Sequence, residues 1–162
     1  VSTIPYRVEV VRSKRRRKTV SAYLDGDVVR VQMPAWMSKA DEELYVTDLV
    51  GRIIRQESRG RIDIASRAAT LAKRYDLPTP KAVTWMPNRK TQWATCTVAT
   101  REIRVVERLA DFPAWVLDYV LVHELAHLAE ANHSARFWKM VNRYPKAERA
   151  RGFLIAKGND ER

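Results

Sequence analysis

Two periodicities alternate along the chain. Tyr6-Arg7-Val8-Glu9-Val10-Val11-Arg12 alternates with period two, and Thr19-Val20-Ser21-Ala22-Tyr23-Leu24 does so loosely. A turn signal at Asp25-Gly26-Asp27 precedes Val28-Val29-Arg30-Val31-Gln32-Met33, which stops at Pro34. Period two is the signature of a strand with one buried face, so residues 4 to 34 predict a three-stranded antiparallel meander. The period then changes. Ser38 and Asp41 suit a helix start, Leu44, Val46, Leu49, Val50, Ile53 and Ile54 form an apolar face down to about Glu57, and Gly60 marks a break. Ile64, Ala65, Ala68, Leu71, Ala72 and Tyr75 predict a second helix from about Ile62 to Tyr75, closed by Asp76-Leu77-Pro78-Thr79-Pro80.

Strand signals return at Ala82 to Trp85, Gln92 to Val98 and Glu102 to Val106, where Ile103 and Val105 share one face. The last of these is the expected edge on which an extended peptide could add. Asp111-Phe112-Pro113 opens a long helix, proline being tolerated in a first turn because the amide it lacks would be unpaired there. Val116, Leu117, Val120, Leu121, Val122, Leu125, Ala126 and Leu128 make that helix apolar on almost every side, which predicts burial. A final helix runs from near Ser134 to about Tyr144, stopped by Pro145, and a short helical piece follows around Ala147 to Arg151. The class is α+β: an N-terminal antiparallel meander, two helices, a small twisted sheet, a buried helix and a C-terminal helix. A chain of 162 residues without repeats or low-complexity linkers predicts one domain.

The buried helix carries the chemistry. All three histidines of the protein fall within His123-Glu124-Leu125-Ala126-His127-Leu128-Ala129-Glu130-Ala131-Asn132-His133. Residues four apart on a helix lie one above the other, so His123 and His127 aim their imidazoles at one point. Two imidazoles and a carboxylate in an apolar helix would cost several kcal/mol unless paired or bound to an ion. Catalytic zinc takes three protein ligands and keeps a fourth position for a water whose pKa falls to about 7. His133 is the one histidine left to complete the set. It must come from outside the helix, with Asn132 best able to take the left-handed turn that brings it back. Glu124, about a quarter turn or more from His123, is the candidate base for that water. Tyr119, Arg136 and Tyr144 are possible donors to a developing oxyanion, and Glu130 a possible acceptor that orients a ligand.

Charge adds a second possibility. Thirty basic residues face nineteen acidic ones, for a net charge of +11. Seven of the basic residues lie between Arg7 and Lys18, including Lys14-Arg15-Arg16-Arg17-Lys18, and seven more lie between Arg136 and Lys157. Such a field attracts nucleic acid or other polyanions, although no aromatic platform is interleaved with the arginines in sequence. The single cysteine, Cys96, excludes an internal disulfide and predicts a small, partly buried side chain. With no hydrophobic leader in the sequence as it stands from Val1, it predicts a cytoplasmic protein. No apolar run reaches the length of a membrane span.

The string Asp118-Tyr119-Val120-Leu121-Val122-His123-Glu124-Leu125-Ala126-His127-Leu128, followed by Asn132-His133-Ser134 and Phe137-Trp138, resembles the YgjP-like family of small zinc metallopeptidases, relatives of the WLM and SprT-like proteases. Arg89-Lys90-Thr91-Gln92-Trp93-Ala94-Thr95-Cys96 stands where that family has Arg-Lys-x-x-Trp-Gly-Ser-Cys, with Ala94 and Thr95 replacing Gly-Ser. The step of six from His127 to His133 also occurs in metzincins, whose glycine in its middle is Glu130 here. The YgjP-like resemblance implies a zincin-like domain over 1–162, with the meander in 1–36 and the catalytic part in 37–162. It implies zinc held by His123, His127 and His133, Glu124 as general base, and a peptide or protein as substrate. Two other functions would use the same residues: hydrolysis of a non-peptide substrate such as a nucleotide phosphoanhydride, or proteolysis associated with nucleic acid bound by the basic ends. Oligomeric state is not legible.

Overall fold

Strands β1 (Arg7–Ser13), β2 (Ser21–Asp25) and β3 (Val28–Pro34) form a sheet in a computed structural model that describes residues 6–158. Their order is β1-β3-β2, with β1 parallel and β2 antiparallel to β3. The expected meander is therefore corrected, and its first two residues, Ile4 and Pro5, lie outside the described residues. The cause is local. Gly26, at φ +63°, lets a two-residue turn pair Asp25 with Val28, so β2 takes one edge of β3. The most buried strand, β3, with Val29, Val31 and Met33 fully covered, belongs in the centre, and the largely exposed β1 takes the other edge. Ser13 pairs with Pro34 and Ser21 with Gln32, so the basic segment 14–20 spans the end of β3 instead of making a hairpin.

Helix α1 (Lys39–Arg61) covers this sheet, Val46, Leu49, Val50, Ile53 and Ile54 packing with Val29, Val31 and Met33. Arg12 of β1 donates from Nε (3.0 Å) and Nη2 (2.6 Å) to one oxygen of Glu42. Gly60 does not break the helix, which continues to Arg61. Glycine costs a helix interior about 1 kcal/mol relative to alanine, and here basic Arg59 and Arg61 in the last turn favour the helix end. The break comes at Asp63, whose carboxylate accepts from Ser66 N and starts α2 (Ile64–Arg74). Contacts divide the chain into two compact units, Val1–Ser58 and Arg59–Arg162.

The second unit repeats the strand arrangement. Its sheet has β4 (Ala82–Met86) parallel and β5 (Ala94–Thr97) antiparallel to a central β6 (Glu102–Val106). Ile103 and Val105 do share a buried face, but β6 has a neighbour on each side and offers no edge to a peptide. A 3-10 turn, Glu107–Asp111, leads into α3 (Ala114–His127), with Pro113 just before its first turn. Val116, Leu117 and every residue from Tyr119 to Ala126 are buried. Helices α4 (Ala135–Val141) and α5 (Ala147–Ala156) complete the core through Phe137, Val141, Ala150 and Leu154, α5 running further than the short piece expected. Arg67 of α2 reaches Asp118 of α3 at 2.5 Å, tying the two helices together. The class is α+β as expected, and no helix among the described residues is long and apolar enough to cross a membrane.

Leu121 is fully buried on α3 and Leu44 is 69% exposed on α1. Leu121→Ala is expected to cost about 2–5 kcal/mol of unfolding free energy in urea titration, and Leu44→Ala no more than about 0.5 kcal/mol.

Candidate metal centre and its cleft

Two of the three histidines come from α3 and one from the loop after it. The helix ends by tightening: Leu128 N donates to Leu125 O and both Ala129 N and Glu130 N to Ala126 O. Ser134 N then bonds Asn132 O, and the Ser134 hydroxyl caps α4 by accepting from Phe137 N at 3.2 Å. This brings His133 back over the helix. Asn132 does not adopt a left-handed backbone, since Asp76 and Arg101 are the non-glycine residues with positive φ among those described. Stacked backbone bonds achieve the reversal instead.

The three side chains meet. One ring nitrogen from each of His123, His127 and His133 lies within 4.8 Å of the other two, a grouping that could hold a metal ion. His123 Nε2 and His133 Nε2 stand 3.3 Å apart. Ring nitrogen Nδ1 of His127 lies 3.1 Å from the backbone oxygen of Glu130, so with its proton on Nδ1 it donates there and leaves Nε2 for the centre. The expected role for Glu130 is thus filled by its carbonyl rather than its carboxylate. Phe137, fully buried, is the floor: its ring lies 4.4 Å from that of His127, 4.8 Å from that of His133 and 4.9 Å from that of His123.

Burial sets the protonation. Loss of solvent, and then the neighbouring imidazoles, push the His123 pKa down to about 3. His127 is lowered by burial as well, against a smaller opposing pull from the Glu130 carbonyl. Both rings are therefore neutral near pH 7, the form in which imidazole ligates metal.

These residues open onto a cleft of about 710 Å³. One wall is Thr91 to Cys96 with Val98, and the other is His123, Glu124, His127, Ala131 and His133. Glu124 is buried to 8% exposure and still lines the cleft. Ala94 and Cys96 pair with Val105 and Ile103 across the sheet, which puts them on its buried face, toward α3. The three candidate oxyanion donors are not in the lining. Tyr144 spends its hydroxyl on Trp115 O at 3.0 Å, Tyr119 is fully buried with its ring edge-on to His123, and Arg136 lines a different cavity, with Lys139 and Arg143.

A model of the family described as YgjP-like, metallopeptidase domain, matches residues 5–155. The chain belongs to the YgjP-like metallopeptidase family. Two solved structures share its fold. The metallopeptidase zymogen of Pyrococcus abyssi abylysin is 20% identical at a TM-score of 0.52, the match covering 59% of the YgjP-like chain and 94% of abylysin. The metallopeptidase zymogen of Methanocaldococcus jannaschii jannalysin is 19% identical at 0.51, covering 60% and 98%. No curated protein sequence matches. The histidine cluster of this YgjP-like metallopeptidase was legible from spacing alone. The Phe137 floor and the β5 wall were not, although Phe137-Trp138 and the strand around Cys96 both belong to the stretches that resemble the family.

Burial, and secondarily the Glu124 carboxylate, push the Cys96 thiol up to about 11. Because the thiolate is the reactive form, alkylation by iodoacetamide is expected to be slow at pH 8 and to rise with an apparent pKa near 11. Glu124→Gln removes one cause of the shift and should move that profile to lower pH. A profile unmoved by the substitution would mean that Glu124 does not face Cys96.

Proposed function

We propose that this metallopeptidase is a zinc enzyme in which His123, His127 and His133 hold the ion and Glu124 is the general base. The observation that carries the reading is the convergence of three imidazoles beside one buried carboxylate in an open cleft. One pair of nitrogens already stands at the spacing the ion requires, and all three lie within 4.8 Å of one another. Nitrogen ligands about 2.0–2.1 Å from zinc in a tetrahedral site stand about 3.3 Å from one another, the separation of His123 Nε2 and His133 Nε2 being 3.3 Å. Bound there, zinc would supply a Lewis acid for a scissile carbonyl and lower the pKa of water to about 7.

The chain's own groups do the rest. Glu124 accepts a proton from water on its carboxylate and returns it to the leaving nitrogen. Strand β5 pairs only with β6 among the described residues, so its other edge can align an extended peptide along the cleft through main-chain hydrogen bonds. This replaces β6 as the expected docking strand.

A peptide fits better than a nucleotide phosphoanhydride, because among the described residues no lysine or arginine lines the cleft to meet phosphate charge. Nucleic-acid association gains little support either. Several basic residues are used internally: Arg143 donates to Tyr75 O and Asp76 O, Arg16 to Thr19 and Gln32, and Arg149 lies over the Trp115 ring.

Purified protein is expected to carry about one zinc per chain and to lose peptidase activity on chelation. Glu124→Gln should keep the zinc and lose roughly 10²–10⁴-fold in kcat, the range for a positioned acid–base group. Activity that survives this substitution would exclude Glu124 as base, and activity in chelated protein would exclude the metal.

A further inference from the structure

His133 is the least anchored of the three histidines. His123 and His127 project from a buried helix, and His127 is also held by the Glu130 carbonyl. His133 lies on an exposed loop, and beyond its approach to His123 Nε2 no protein group among those described hydrogen-bonds its ring. Metal-binding imidazoles ordinarily donate their second nitrogen to a carboxylate or carbonyl that sets their orientation. Rings surround His133 instead. Phe137 meets it edge-on at 4.8 Å, and Trp138 lies nearly parallel to it, 5.6 Å between centroids and 23° between planes. Trp138 in turn carries a cation: the Arg151 guanidinium of α5 sits 4.6 Å from the centre of its ring. Arg151 is carried by a helix rooted in the core through Ala150 and Leu154, and its ion pair with Glu148 is a loose one at 3.8 Å.

The geometry points to Trp138 as the positioning residue for His133, with Arg151 bracing Trp138. The stack restricts rotation of the loop-borne imidazole and presents its Nε2 to the centre. The ring stack and the cation–π contact both favour one orientation of rings that a loop would otherwise leave free to turn. Trp138 touches no reacting atom in this role. The inference rests on the metal-centre reading above.

Metal affinity tests it without reference to turnover. Zinc dissociation constants are measured by competition with a chromogenic chelator for the wild type, His133→Ala, Trp138→Leu, Trp138→Phe and Arg151→Leu, with circular dichroism and melting of each metal-free protein alongside. Cobalt(II) loading reports coordination by its visible absorption. Trp138→Leu is expected to weaken zinc about 10–100-fold, the range for losing a group that orients a ligand, and to alter the cobalt spectrum. Trp138→Phe, which keeps a ring in place, should stay within about threefold. Arg151→Leu should also weaken binding, although it removes a positive charge from the neighbourhood of a cation. Charge removal alone would tighten it, so tighter binding overturns the bracing role. Trp138→Leu within threefold of wild type overturns the proposal. Should Trp138→Leu fail to fold, Arg151→Leu, at a half-exposed position, carries the test. The two readings fail differently: a wild type that binds no metal removes the centre itself, whereas loss in His133→Ala with none in Trp138→Leu or Arg151→Leu removes only the stack.

Discussion

Placing two imidazoles and a carboxylate on the most deeply buried helix is the constraint to which the second unit answers. Water is largely withdrawn from His123 and Glu124, which are 6% and 8% exposed, and a charged imidazole is correspondingly disfavoured. The surroundings hold the rings in a fixed array. The sheet covers one side of α3 with Ile103 and Val105, α2 is tied to it through Arg67 and Asp118, and α4 returns beneath to set Phe137 against all three rings. The tightened end of α3 and the Ser134 cap convert a surface loop into the third side of the site. Function and packing are thus the same set of contacts.

Element existence was largely legible, and element neighbours were not. Periodicity located the six strands of the described residues and the principal helices within a few residues, because period two and period 3.6 are written into single segments. Pairing depends on competition between segments. In both sheets a turn joins the second and third strands, and the third is the most apolar, so it takes the centre and sends the first strand to the opposite edge as a parallel partner. A meander, and a peptide edge at Glu102–Val106, follow from reading neighbours in sequence as neighbours in space. Gly60 misled for a related reason: its local cost is small against the long apolar face of α1.

The site was legible to a different depth. Three histidines at i, i+4 and i+10 around one glutamate carry their geometry in the spacing, because a helix fixes two of them and no other histidine exists. The supporting parts carry no such signal. Phe137 as a floor, the Glu130 carbonyl as the acceptor for His127, and β5 as the opposing wall all arise from how the chain folds back after Leu128 and from strand order. The turn at Asn132 shows the limit of residue propensity: a run of short backbone hydrogen bonds made a left-handed residue unnecessary.

The central claim is that three imidazoles, and no thiolate, hold a single zinc ion beside Glu124. X-ray absorption at the zinc edge of the metal-loaded protein tests it most directly. Three nitrogen scatterers with imidazole multiple scattering at about 2.0–2.1 Å, and one further light atom, are predicted. A sulfur shell at about 2.3 Å, which Cys96 as the single cysteine of the sequence would have to supply, or fewer than three imidazoles, would contradict the account.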